Sequence, residues 1–139
     1  MQLSQQEIVA RPVAEASLAD AIETARGSIS EFFRAFRLPR KGQTDFRIQA
    51  VFVDGDQREY VWLGDLDFST RPATGIVCDR PALRTLSYRK RVGFRPEQMS
   101  DWMYRDRGRL VGGHTTRVLA QAESPRDGFL ALLKRRIAQ

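Results

Sequence analysis

The chain is poor in the residues that build most recognisable sites. It has one cysteine, Cys78, and one histidine, His114, among 139 residues. A single cysteine excludes an intramolecular disulfide, and one Cys with one His argues against a zinc site of the ordinary ligand sets. Lysine is scarce as well, with Lys41, Lys90 and Lys134 beside twenty arginines. No stretch approaches the roughly 20 apolar residues that a membrane helix needs. Residues 1–11 are polar and lack the apolar run of a signal peptide, so a cytoplasmic location is expected. No Gly-Lys-Ser or Gly-Lys-Thr occurs, which excludes the usual phosphate loop, and no cofactor is implied. No Gly-x-Ser-x-Gly elbow accompanies His114, so a Ser-His-Asp triad has no support. Repeats and low-complexity segments are absent.

What remains is enough for one domain. A chain of this length can bury about two-thirds of its unfolded surface. The apolar fraction of 42% is too high for a disordered chain and sufficient for a core. Residues 1–16 read as a lead-in and 17–139 as a single domain. Ser17 offers a helix N-cap. From it, Leu18, Ile22, Ala25, Ile29, Phe32, Phe33 and Phe36 recur at steps of three and four, the apolar face of a helix. Gly27-Ser28 weakens its middle, and Pro39 ends it.

The period then changes to two. Phe46, Ile48, Ala50 and Phe52 predict one strand, and Tyr60, Trp62, Leu66 and Phe68 a second. Asp54-Gly55-Asp56 turns between them, so the two form an antiparallel hairpin whose even-numbered residues face the helix. Further strands are expected at 74–78, 91–95 and around Trp102 and Tyr104, the last returning through Leu110-Val111 after a turn at 105–108. Gly112-Gly113 marks a bend, 115–122 a short helix, and Ser124-Pro125 the start of a C-terminal helix carrying Phe129, Leu132, Leu133 and Ile137. The expected fold is α+β: a twisted antiparallel sheet of five or six strands, with the N-terminal helix packed on it and a helix at the C-terminus.

The strings Ser100-Asp101-Trp102-Met103-Tyr104 and Gly108-Arg109-Leu110-Val111-Gly112-Gly113-His114-Thr115 resemble the YegJ-like bacterial domain of unknown function, DUF2314. Asp45-Phe46, Tyr60-Val61-Trp62-Leu63 and Asp79-Arg80-Pro81 agree in order, and the likeness covers about residues 18–120. The chain departs from that pattern at Lys90-Arg91, where the family often has Gly-Asp, and at His114, where it often has an aromatic residue. The resemblance implies a small domain and carries no assigned activity.

Charge supplies the other lead. The net charge is +6, and all of it lies between Arg80 and Arg109, where nine basic residues face Glu97, Asp101 and Asp106. A basic excess of this kind attracts nucleic acid, acidic protein or anionic lipid, or is simply a solvated surface. Trp62, Trp102, Tyr60, Tyr88 and Tyr104, interleaved with Arg89 and Arg91, could form a stacking platform for single-stranded nucleic acid, or each tryptophan could simply be core. Protein interfaces concentrate the same residue types. Arg107 sits in the turn that follows Tyr104. Gly112, Gly113 and His114 could bring backbone N–H groups to an anion, or could be a bend followed by a hydroxyl cap at Thr115 or Thr116. Asp101 beside Trp102 could be an acid-base group or a turn cap. Cys78 reads as a small buried hydrophobe. Asp54, Asp56, Asp65 and Asp67 read as solvated hairpin ends. The leading expectation is a non-enzymatic domain that binds another protein, such as an inhibitor of a cognate toxin or a secretion-associated accessory protein. The alternatives are a nucleic-acid-binding domain using residues 80–109 and an undescribed enzyme using Asp101 and His114. No membrane partner is implied, and the oligomeric state is not readable.

Overall fold

A computed structural model describes residues 17–122 of the chain. Residues 17–27 form helix α1 and Ile29–Arg37 helix α2. Six strands follow: β1 (Gln43–Asp54), β2 (Gln57–Asp67), β3 (Ala73–Val77), β4 (Arg91–Phe94), β5 (Met99–Asp106) and β6 (Arg109–Gly112). Helix α3 (His114–Ala122) comes after them. The strands make one sheet in the order β4-β3-β2-β1-β5-β6, with every neighbouring pair antiparallel. The α+β architecture expected from the two periods is the one observed. The lead-in 1–16 and the helix expected after Ser124 lie outside the described residues. No helix among those residues is long and apolar enough to cross a membrane.

The expected single N-terminal helix breaks at Ser28, next to Gly27. There the Ser28 hydroxyl donates to the Thr24 carbonyl at 2.8 Å. The break has a use, because Trp102 drives its indole into it. Trp102 Nε1 donates to the Ala25 carbonyl at 3.0 Å and to Ser28 Oγ at 3.3 Å. Trp102 is 1% exposed, so its N–H needed such a partner. The apolar stripe of α1 and α2 meets Ile48, Ala50, Val61, Leu63, Val77, Trp102 and Tyr104 across the sheet. Phe32 contacts the rings of Phe33, Phe36, Phe46 and Trp102 at centroid distances of 5.6–6.0 Å. Arg26 ties α1 to the start of β5 and the turn before it by donating to the Met99 and Glu97 carbonyls.

One expectation about the hairpin is corrected. Even-numbered residues of β1 face the helices, but in the first half of β2 it is Val61 and Leu63 that do so; after the irregularity at Asp65 (φ +44°) Leu66 and Phe68 pack on the same core, as expected. Ile48 pairs with Leu63 and Ala50 with Val61, whereas Trp62 pairs with Gln49. The cause is the two-residue turn Gly55–Asp56, with Gly55 at φ +62°. Such a turn pairs each residue of one strand with one of opposite parity on the other, and paired residues share a face. Trp62 is buried at 8% exposure, on the side of the sheet away from α1 and α2.

Candidate functional site

The second face of the sheet carries a buried polar centre. Gln49, Ser100, Asp101 and Thr115 are each at least 94% buried. The Asp101 carboxylate accepts from its neighbour Trp102 N at 2.8 Å, from His114 N at 3.2 Å, and from Thr115 N and Thr115 Oγ1 at 2.8 and 2.6 Å. Ser100 Oγ donates to Gln49 Oε1 at 2.7 Å. Asp101 is therefore an N-cap for α3 supplied from a neighbouring strand, with its negative charge at the positive end of the helix. The chain reaches this cap through Gly112 and Gly113, whose φ values are +76° and +65°. Gly113 N donates to the Trp102 carbonyl at 2.8 Å. A Cβ on Gly112 would lie 2.6 Å from Trp102 Cζ3, so glycine is needed for space as well as for φ.

The Asp101 and His114 side chains form no hydrogen-bonded pair. It is the backbone N–H of His114 that meets Asp101, while the imidazole stands edge-on to Trp102 with ring centroids 5.6 Å apart. His114 Nε2 is buried and finds no hydrogen-bond partner among the described residues. Cys78 sits half-buried; burial pushes its thiol up, against the pull of Arg47, and disfavours the thiolate. No group of three His, Cys, Asp or Glu side chains clusters among the described residues. The glycines, His114 and Asp101 are thus brought together, but as the joint between β6 and α3.

The aromatic platform expected from the interleaved Trp, Tyr and Arg residues is mostly core. Trp62, Trp102 and Tyr104 are each at least 92% buried, while Tyr60 and Tyr88 are exposed. The strand order also divides the basic segment 80–109. Tyr88, Arg89 and Lys90 precede β4 at one edge of the sheet, and Arg107 lies in the β5–β6 turn at the other. Arg91 is occupied. Its guanidinium contacts the Asp65 carboxylate at 2.7 Å and donates to the Asp65 carbonyl and Thr74 Oγ1. This pair is solvated and adds little stability.

Arg107 belongs to a different group of cations. Gln43 at the start of β1 pairs with Asp106 at the end of β5. That register lays the α2–β1 loop against the β5–β6 turn. Arg107 N donates to the Gly42 carbonyl at 2.9 Å, and Gln43 Nε2 donates to Asp106 Oδ2 at 3.3 Å. Both turns use positive φ: +91° at Gly42, and +51° and +81° at Arg107 and Gly108. Two consecutive positive φ values suit a tight two-residue hairpin turn. Between the two loops lies an open cleft of about 680 Å³ lined by Arg40, Lys41, Asp106, Arg107, Arg109 and Val111. A smaller hollow of about 390 Å³ adjoins it at Arg40 and includes Arg34, Glu31, Leu38 and Tyr104. Burial pushes the Tyr104 phenol up, the charges of Glu31 and Asp106 reinforce this, and Arg40 opposes it. The hydroxyl therefore stays a neutral donor.

Four cations against one carboxylate make the cleft a surface for anions. Arg107 and Arg109 belong to the basic segment 80–109 expected from the sequence, whereas Arg40 and Lys41 were missed. Arg40-Lys41-Gly42 was a basic pair beside a turn glycine, but only the β1–β5 pairing places it next to Arg107.

A family model described as "Uncharacterized protein conserved in bacteria (DUF2314)" matches residues 15–128. The chain is similar to "Uncharacterized protein YegJ" of Escherichia coli (strain K12), with 28% identity over 100 residues, 71% of this chain and 64% of the relative. The matched region thus spans less than two thirds of that curated relative. No solved structure matches the chain.

Proposed function

The chain belongs to the DUF2314 family of uncharacterized bacterial proteins, and we propose that it is a non-enzymatic binding domain whose partner is an acidic protein surface. The observation that carries this reading is the cleft that Arg40, Lys41, Arg107 and Arg109 line together, with Asp106 as its single carboxylate. The cleft is open and lies between two short loops, a shape suited to a protruding acidic segment. Both loops are braced by backbone hydrogen bonds and by the Gln43 side chain, so little ordering is required on binding. Exposed charge pairs contribute about 0.2–1 kcal/mol each, so four give roughly 1–4 kcal/mol and an accelerated, salt-sensitive association. A cognate toxin with an acidic face, or an acidic component of a secretion apparatus, is the kind of partner that fits.

The test uses a fluorescein-labelled oligoglutamate peptide and fluorescence anisotropy at low ionic strength. The full chain binds it, and Arg107→Glu with Arg109→Glu weakens binding by about tenfold or more, since two attractions become repulsions. Equal binding by the wild type and the double variant would remove the cleft as the interface.

A further inference from the structure

Residues 79–90, between β3 and β4, form a second basic surface at the opposite edge of the sheet from the cleft. Arg80, Arg84, Arg89 and Lys90 all lie exposed on it. None of them takes part in an ion pair among the described residues, where Arg91 and Asp65 make the one that occurs. Tyr88 stands among them, 38% exposed. The Arg89 guanidinium lies over its ring at 5.1 Å from the centroid and that of Arg80 at 5.9 Å.

This loop is held firmly although it has no regular structure. The Glu59 carboxylate accepts from Ala82 N at 2.7 Å and Leu83 N at 3.1 Å. Leu83 and Leu86 are buried in the main core. Arg89 N donates to the Val77 carbonyl, and Val77 N to the Lys90 carbonyl, both at 3.0 Å. Arg89 adopts φ +66°, an uncommon conformation for a residue with a side chain. The buried leucines and the backbone bonds thus set the surroundings of Tyr88 before any ligand arrives.

We infer that the 79–90 loop is a site for single-stranded nucleic acid, with Tyr88 and its two guanidiniums stacking an unpaired base and Arg84 and Lys90 meeting the adjoining phosphates. The inference goes beyond the acidic-partner reading of the cleft, since it concerns another edge of the molecule and another ligand. Charge alone does not decide between a carboxylate-rich peptide and a polynucleotide. The planar group does. An exposed phenol ring with two guanidinium groups over it offers stacking surface that carboxylates leave unused, whereas a base uses that surface and its phosphate uses the N–H donors. A duplex keeps its base faces stacked inside, so the site favours the single strand.

The test measures anisotropy of a labelled oligothymidine of about twelve nucleotides with the full chain at low salt. Saturable binding is expected, with log affinity falling against log salt at a slope of about −1.4, as for the two phosphates that Arg84 and Lys90 meet. Tyr88→Ala weakens binding at least about fivefold, and Tyr88→Phe, which keeps the ring, binds within about twofold of the wild type. Arg84→Ala with Lys90→Ala weakens binding and flattens the salt slope. Circular dichroism confirms that each variant is folded, as substitution of an exposed residue allows. Absence of saturable binding by the wild type would overturn the inference. So would Tyr88→Ala binding as well as wild type, a duplex of equal length binding as tightly as the single strand, or an oligoglutamate peptide displacing the oligonucleotide with equal sensitivity to Tyr88→Ala.

Discussion

Replacing Asp101 by alanine tests whether this acid is a structural cap. The carboxylate accepts four hydrogen bonds, three of them from backbone N–H groups at 2.8–3.2 Å. Alanine orphans those three donors in a site where Asp101 itself is fully buried. Each buried unsatisfied donor costs about 1–3 kcal/mol, and loss of a helix N-cap alone about 0.5–2. Part of this is recovered, because Thr115 Oγ1 lies 3.3 Å from Gln49 Oε1 and can turn towards it. Water entering the space left by the carboxylate recovers more. The expected loss for Asp101→Ala is therefore about 3–5 kcal/mol, a large share of a small domain's stability. Asp101→Asn keeps one accepting oxygen and should lose about 1–3 kcal/mol. Urea unfolding followed by tryptophan fluorescence measures both, since Trp62 and Trp102 are buried in the native state. A loss below about 1 kcal/mol for the alanine variant would refute the capping role and return Asp101 to the candidates for chemistry.

Three further perturbations probe neighbouring features. Gly112→Val should cost about 3 kcal/mol or more, because it adds positive-φ strain to a clash with the Trp102 ring; a melting temperature near that of the wild type would contradict the geometry. His114→Phe should stabilise the domain by about 1 kcal/mol, keeping an aromatic edge against Trp102 while removing a buried nitrogen without a partner; destabilisation in a urea titration would show that Nε2 is satisfied. Burial pushes the Asp79 carboxyl up, with Arg47 opposing, so the folded state binds the proton more strongly than the unfolded state. The stability Asp79 contributes is then present in acid and lost as pH rises through its folded value. Asp79→Asn should raise the melting temperature at neutral pH, with the gain vanishing below the ordinary carboxylate range, and a lowered melting temperature at neutral pH would reverse the sign.

The fold was legible where one period governed a whole segment. The step of three and four from Leu18 to Phe36 and the alternation of Phe46, Ile48, Ala50 and Phe52 describe elements that bury one face, and burial preserves the period. The second strand misled because its aromatic residues, Tyr60 and Trp62, outweighed Val61 and Leu63 as apparent core. The turn held the correct answer, since two loop residues at Gly55–Asp56 fix opposite parity. The joint at Gly112, Gly113 and His114 was visible as a bend leading into a helix. What could not be read was its cap, because Asp101 comes from a strand thirteen residues earlier than His114. The basic cleft was illegible for a related reason. Linear charge counting joined residues 80–109 into one segment, whereas the sheet order sends Tyr88–Lys90 and Arg107–Arg109 to opposite edges and recruits Arg40 and Lys41 through the pairing of β1 with β5.

Backbone amide chemical shifts during titration with an acidic peptide test the proposed interface most directly. Gly42, Arg107, Gly108 and Arg109 lie on the two loops that form the cleft, and their resonances should move together and saturate with a single affinity. The amides of residues 84–90 and of the buried Asp101–Thr115 joint should stay in place. Shifts confined to those other regions, or none at low ionic strength, would contradict recognition of an acidic partner through Arg40, Lys41, Arg107 and Arg109.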